Sequence, residues 1–340
     1  MAFTAVANMV VHDAFSKYFQ RALLERSVFF KSGILATDPQ IAEKCNEAGF
    51  GGNFVSLPFF NALSTSDKEE RLDEHDLVPS NVTTGEDVAV IVRRGKAFGA
   101  NDLATDVAGA DPMITVANQL ADYWNARNER RLFSVLKGVF AKNVAADDSS
   151  LVLDISNLEG SKAILNKETL LWAAQLLGDR KTQLTAIACN SIVDTYLSAM
   201  DTNAGLYKAS EGEATLPAYN GRSILIDDLC GYDASTKKAE IYLFGQGAIA
   251  YNPCPVKVPF EVGRDALKAG GRDFLVSRQA SICHLRGYKW GVTDINPYNS
   301  DADRPSGDST SKTLENPASW TRVYDAKEIR CVKLICKLSA

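Results

Sequence analysis

Apolar positions along the chain change their period several times, and each change marks an element. Across 13–27 (DAFSKYFQRALLERS) Phe15, Tyr18, Phe19 and Leu23 recur at helical spacing, which predicts a short amphipathic helix. The stretch from Gly33 to Phe50 is mixed and poorly periodic, and reads as an arm rather than as core. NFVSLPFFNAL (Asn53–Leu63) reads as a strand, with Pro58 placing it at an edge or a bulge. The solvated run STSDKEERLDEHD follows, and then a second strand at Asp87–Arg93, where Val88, Val90 and Val92 alternate with Ala89 and Ile91. Together these predict a hairpin with a long polar excursion. Ordering backbone costs about 1–2 kcal/mol per residue, and two strands alone bury too little to offset that over 53–97. Either the middle is disordered or neighbouring copies pin it, and the second would make it an assembly element.

The strongest helical pattern begins at Asp111-Pro112, an N-cap residue followed by a proline suited to the first helical turn. Ile114, Ala117, Leu120, Ala121, Trp124, Leu132, Val135, Leu136, Val139 and Phe140 mark one face, and Asn118, Asp122, Asn125 and Glu129 the other. A run of about 30 residues makes a spine some 45 Å long. Beyond Ala146 elements alternate: helix Leu170–Leu177 closed by Gly178, strand Leu184–Cys189, helix Ile192–Met200, then strands Ser223–Leu229 and Ala239–Tyr251. Phe274–Trp290 is long enough for one extended strand or two short ones. Residues 294–319 form a Pro/Asn/Asp/Ser-rich loop, and Ile329–Leu338 a closing strand.

Composition narrows the function. The 340 residues are 46% hydrophobic with a net charge of −5, an acidic balance that gives no basic footprint for gripping nucleic acid. The first residues, MAFTAVANMVVHDAF, lack the pattern of a secretory leader, and no apolar run approaches a membrane span. Seven scattered cysteines are therefore expected as free thiols in a reducing cytoplasm.

No residue is assigned a catalytic, cofactor-binding or metal role. Gly245-Gln246-Gly247 lies inside a strand-like run and reads as a bend rather than a phosphate cradle. Asp227-Asp228 end an apolar strand, where carboxylates can hold Mg²⁺, but a solvated strand end accounts for them better. Cys331 and Cys336, five apart on a strand, point to opposite faces and cannot share an ion, and Cys254 has no nearby ligand. His12, His75 and His284 lack the context of a catalytic triad. Arg127, Arg130 and Arg131 read as surface residues pairing with Glu129, in contact with another subunit or with nothing.

The order of segments resembles a known family. Ser32–Leu35 (SGIL) and Gly51–Phe60 (GGNFVSLPFF) are similar to the arm-to-loop passage of tailed-bacteriophage major capsid proteins. Val90–Met113 running into QLADYWNARNERRLFSVLKGVF resembles their loop-to-spine junction; GRSILIDD and FLVSRQASICHLRGYKWGV also match, so the likeness extends from about residue 30 onward. It implies the α+β Hong Kong 97-type capsid fold. The expected division is an N-terminal arm at 1–52, an extended loop at 53–97, a peripheral domain at 98–145 and 256–292, and an axial domain at 146–255 and 293–340. It also implies a virion protein that is no enzyme, made in the bacterial host cytoplasm and building an icosahedral shell from pentamers and hexamers of itself.

The implied partners are a portal protein, a separate scaffolding protein, decoration proteins and packaged double-stranded DNA held by weak contact, with no membrane. A rearrangement of arm and helix from a loose shell to a tight one is a family expectation. Lysine–asparagine cross-linking is not carried over to Lys68, whose partners are not matched. Phe54, Leu57, Phe59 and Phe60, or their strand partners, are expected to be buried between subunits. An encapsulin-like nanocompartment shell of the same fold is the alternative, distinguished by particle size and contents. A cytosolic α/β enzyme is the third reading, opposed by the missing motifs.

Overall fold

The computed structural model describes residues 29, 32–48, 52–61, 63, 81–103, 106, 112–200, 218–219, 221–268, 270–306 and 312–338. The expected helix at 13–27, the charged run at 64–76, Asp111, His12, His75 and Lys68 lie outside the described residues.

In chain order the first part contains β1 (Leu35–Ala36), α1 (Pro39–Ala48), β2 (Phe54–Phe60), β3 (Thr84–Asn101) and α2 (Pro112–Ala146). Then come β4 (Val152–Asp154), α3 (Lys167–Gln175), β5 (Leu184–Cys189), α4 (Ser191–Met200), β6 (Ala218–Tyr219), β7 (Arg222–Ile226) and β8 (Tyr232–Asp233). The remainder holds β9 (Lys238–Gly245), β10 (Ile249–Cys254), β11 (Phe260–Asp265), β12 (Arg272–Leu285), β13 (Tyr288–Trp290), β14 (Trp320–Arg322) and β15 (Cys331–Lys337).

One sheet runs β1-β10-β12-β3-β2, with β11 also paired to β12 beyond the end of β10. Its central strands are buried on both faces, and the period-two alternation sorts their side chains. Ala89 and Ile91 of β3, Ala280 and Ile282 of β12, and Ala250 and Cys254 of β10 pack with Ile41 and Cys45 of α1. Val90, Val92, Cys283, Ile249 and Tyr251 face the other way, into the main core. That core also takes Leu132, Phe133, Val135, Leu136, Val139 and Phe140 of α2.

The second sheet runs β4-β15-β9-β5-β7-β6, with β8 beside β9. β5 and β9 contribute unbroken apolar runs, as strands covered on both faces do. The helix α2 joins the sheets. Its first half lays Leu120 and Trp124 against Phe260, and the Trp124 indole donates to Ser277 Oγ at 2.8 Å. Its second half brings Phe133 and Phe140 to within 6.0 and 5.8 Å of the Tyr242 ring of β9. Thirty-five helical residues span about 52 Å, enough to reach both.

Several expectations change. Gly33–Phe50 is more than an arm: α1 buries Ile41 and Cys45 completely. Two apolar anchors in a ten-residue helix make a faint periodic signal, and it is the sheet that stabilises the helix. Cys45 is joined to Cys254 by a disulfide across a sequence separation of 209, so these two are not free thiols, whereas Cys189, Cys230, Cys283, Cys331 and Cys336 are free and buried. Spacing could not find this pair, because the contact is made by tertiary packing. The single strand expected over Ala239–Tyr251 is two strands in different sheets, turned at Gly247 with φ +64°. β3 runs to Asn101 rather than Arg93, since the polar-looking 93–101 pairs with 272–280 of β12. β11 was not anticipated; its register with β12 provides the pairing its mixed sequence FEVGRD does not signal.

Candidate functional site

The hairpin β2–β3 is rooted in the body of the molecule by polar bonds that sequence alone did not reveal. Asp87 stands opposite Leu57 in the antiparallel register and is 1% exposed. Its Oδ1 lies 2.9 Å from Nε2 of His284, also 1% exposed, and its Oδ2 accepts the backbone N–H of Gly287 at 3.1 Å. Burial pushes the Asp87 carboxyl up, but His284 and the N–H groups of Gly287 and Val88 outweigh it and hold the carboxyl below its ordinary value. His284, which has no catalytic context in the sequence, is therefore the hairpin's buried partner. The one sequence signal was a charged residue opening an apolar alternation, DVAVIV.

Arg93 and Arg94 tie β3 to its surroundings. Arg93 donates to Asn53 Oδ1 and to the Gly52 carbonyl. Arg94 donates to Asn296 Oδ1 and the Pro297 carbonyl and lies 5.6 Å over the Tyr298 ring. Burial, first of all, lowers the Arg94 pKa to about 10.

Further along the hairpin some described apolar side chains are uncovered. Phe60 is 77% exposed, and Leu63 and Val82 stand out beside it. Phe54 and Leu57 are each partly buried within the chain, Phe54 against the main core and Leu57 against the cluster that holds Val55 and Ile91. Phe59 is half-buried with its ring 4.6 Å from that of Tyr324, edge to face. The reason is register: the strand lies on its own sheet, so only its end projects. A shallow groove between Phe59, Phe60, Tyr324 and Glu328 runs along this end.

Other sequence candidates resolve as structure. Asp228 accepts the Ser191 N–H at 3.1 Å and its hydroxyl at 2.6 Å, at the start of α4, and Asp227 accepts the Leu229 N–H at 2.9 Å. Among the described residues no group of three His, Cys, Asp or Glu side chains could hold a metal ion. Arg131 is not a surface residue: it is 3% exposed and donates to Ser281 Oγ and Asn128 Oδ1. Arg127 reaches Asp303 at 3.6 Å rather than Glu129. Among the described residues no helix is long and apolar enough to cross a membrane.

The long spine helix, a sheet carrying a projecting hairpin and a second mixed sheet together form the Hong Kong 97-type capsid fold, as solved structures bear out. Mycobacterium phage Che8 aligns with a TM-score of 0.50 at 11% identity, covering 76% of this chain and 88% of that one. The Cyanophage Pam1 capsid asymmetric unit aligns with a TM-score of 0.50 at 8% identity, covering 85% and 86%. The chain belongs to the bacteriophage major capsid protein family: it is 33% identical over 344 residues to the major capsid protein of Bacillus phage SPP1, covering all of both chains. No family model matches.

Proposed function

We propose that copies of this chain assemble as pentamers and hexamers into an icosahedral shell enclosing a phage genome. The observation that carries this reading is the hairpin. It is clamped at its root by Asp87 and His284, and beyond that root Phe60, Leu63 and Val82 are uncovered. A protein that worked alone would gain nothing by holding such a patch rigidly away from its core. In a shell, the patch lies over the next subunit and is buried there.

In this reading the first sheet and the first half of α2 form the peripheral module, the second sheet forms the axial module, and the chain crosses between them at Gly247. The residues before β1 act as arm and 53–97 as extended loop. The working partners are further copies, a portal protein at one vertex, a separate scaffolding protein and decoration proteins. The net charge of −5 suits loose packing of double-stranded DNA rather than its capture. Assembly takes place in the host cytoplasm, and tightening of the shell moves the arm and α2.

Sedimentation and electron microscopy of the protein co-expressed with its scaffold test the reading. Closed megadalton shells are expected, and a variant in which 64–80 is replaced by a short Gly/Ser turn should fail to close them. A monomer or dimer under those conditions would overturn the proposal, and normal shells from the shortened variant would remove the role of the loop.

A further inference from the structure

A shell assembled in the host cytoplasm is built among reduced thiols, yet the fold brings two of its cysteines into a bond. Cys45 lies in α1 and Cys254 ends β10, with their Cα atoms 5.7 Å apart, a separation that a bridge can span. The other five cysteines are free and buried. Burial, first of all, pushes the thiols of Cys189, Cys283 and Cys336 up to about 12, and those of Cys230 and Cys331 up as well. A thiol that keeps its proton does not enter exchange. Of seven cysteines, two are placed to respond to an oxidant.

Their position gives the bond a use. α1 packs on both β10 and β2, between the arm and the extended loop. Its two buried side chains, Ile41 and Cys45, sit one turn apart in the cluster that holds Val55, Ile91 and Ile282. Few other ties hold it. The Lys44 ammonium donates to the Ser56 carbonyl, Asp38 pairs with Arg286 at 2.7 Å, and Asn252 Nδ2 donates to the Asp38 carbonyl at 3.0 Å. A segment with so few buried apolar contacts opens locally at low cost, and that opening admits an oxidant to the buried pair. Once the bond exists, α1 cannot leave β10.

We propose that Cys45 and Cys254 form a redox latch. As thiols they leave α1 able to lift with the arm while the shell assembles and tightens; oxidised after release from the host, they fasten α1 to β10. The oxidant is a low-molecular-weight disulfide in the surroundings. One cysteine thiolate attacks a sulfur of that disulfide and expels one small thiolate, and the second cysteine thiolate attacks the mixed disulfide and expels the other. The small disulfide takes two electrons, and the two protons given up by the cysteines end on the expelled thiols. The loop closed has a sequence separation of 209, and longer loops gain more from closure. The inference rests on the reading of the chain as a shell subunit assembled in the cytoplasm.

The test uses shells of the full-length protein. Cells lysed directly into denaturant with N-ethylmaleimide should give chains labelled at both Cys45 and Cys254. Shells held in oxidised glutathione before the same treatment should lose both labels and yield a peptide that links the two positions. Amide exchange in α1 should slow by about tenfold or more on oxidation and recover in dithiothreitol, a comparison made on the parent chain alone. In Cys254→Ala shells the oxidant should leave α1 unchanged. A pair already bridged in the freshly blocked lysate, a pair that stays reduced in oxidised glutathione, or exchange in α1 indifferent to oxidation would overturn the inference while leaving shell assembly established. So would an oxidant effect that persists in Cys254→Ala. Failure of the unaltered protein to form shells would instead overturn the reading beneath it.

Discussion

Asp87 and His284, 197 positions apart in the chain, form a buried pair that fastens the hairpin strand β3 to β12. Both are 1% exposed, and the carboxylate has a second donor in the Gly287 N–H. The pair fixes the root of the hairpin to the body of the molecule.

Breaking this pair should be costly. Asp87→Asn and His284→Ala are each expected to lower stability by about 3–5 kcal/mol, because the remaining group stays buried without its partner. The Asp87 carboxyl is held below its ordinary value of 3.8. Its contribution is thus present above that pH and is lost as pH falls through the lower, folded-state value. Denaturant midpoints against pH for the parent and Asp87→Asn check both statements, and the variant should lose that acid-side dependence.

Glu129 carries the opposite sign. Burial, and then the neighbouring Asp227, push its carboxyl from 4.5 up to about 7. The folded chain therefore binds this proton more tightly than the unfolded one, and stability falls as pH rises across that interval. Glu129→Gln should be flatter through the window and more stable than the parent above about pH 8, as thermal unfolding at a series of pH values would report.

Gly138 lets the spine helix approach the closing loop. A methyl group there would lie 2.0 Å from the Leu314 carbonyl and 2.7 Å from the Trp320 indole nitrogen, which itself donates to that carbonyl at 2.8 Å. Gly138→Ala would ordinarily stabilise a helix by about 1 kcal/mol. Here it should destabilise by about 1–3 kcal/mol through overpacking, measurable by denaturant titration.

Asn143 is fully buried near the end of α2. Its side chain donates to Ser150 Oγ at 3.1 Å and the Tyr288 hydroxyl at 3.0 Å, and accepts the Leu151 N–H at 3.0 Å. At about 1 kcal/mol for each hydrogen bond, Asn143→Ala should cost about 3 kcal/mol in a chemical melt. Amide exchange should accelerate first at Leu151.

Much of this architecture was readable without coordinates, and the pattern of successes has a physical basis. The spine helix, strand Leu184–Cys189 and helix Ser191–Met200 declare themselves because local periodicity and strong propensity agree over many residues. α1 and β11 were not readable. Ile41 and Cys45 are too few to set a period, and β11 alternates on a strand whose outward side chains are mostly uncovered. The hairpin was visible, but the partial burial of Phe54 and Leu57 against their own chain was not. An apolar side chain is equally suited to its own sheet or a neighbour's, and composition does not distinguish the two.

The sequence by itself determined the local elements, their order and the family, since these depend on contacts within a few residues and on patterns kept along the chain. Only the tertiary structure decided that Asp87 meets His284, that Cys45 meets Cys254, and that Arg131 lies in the interior. Such contacts join positions far apart in the chain through sheet register and crossover. A polar or apolar residue shows what kind of partner it needs, and the folded path of the chain determines which one it finds.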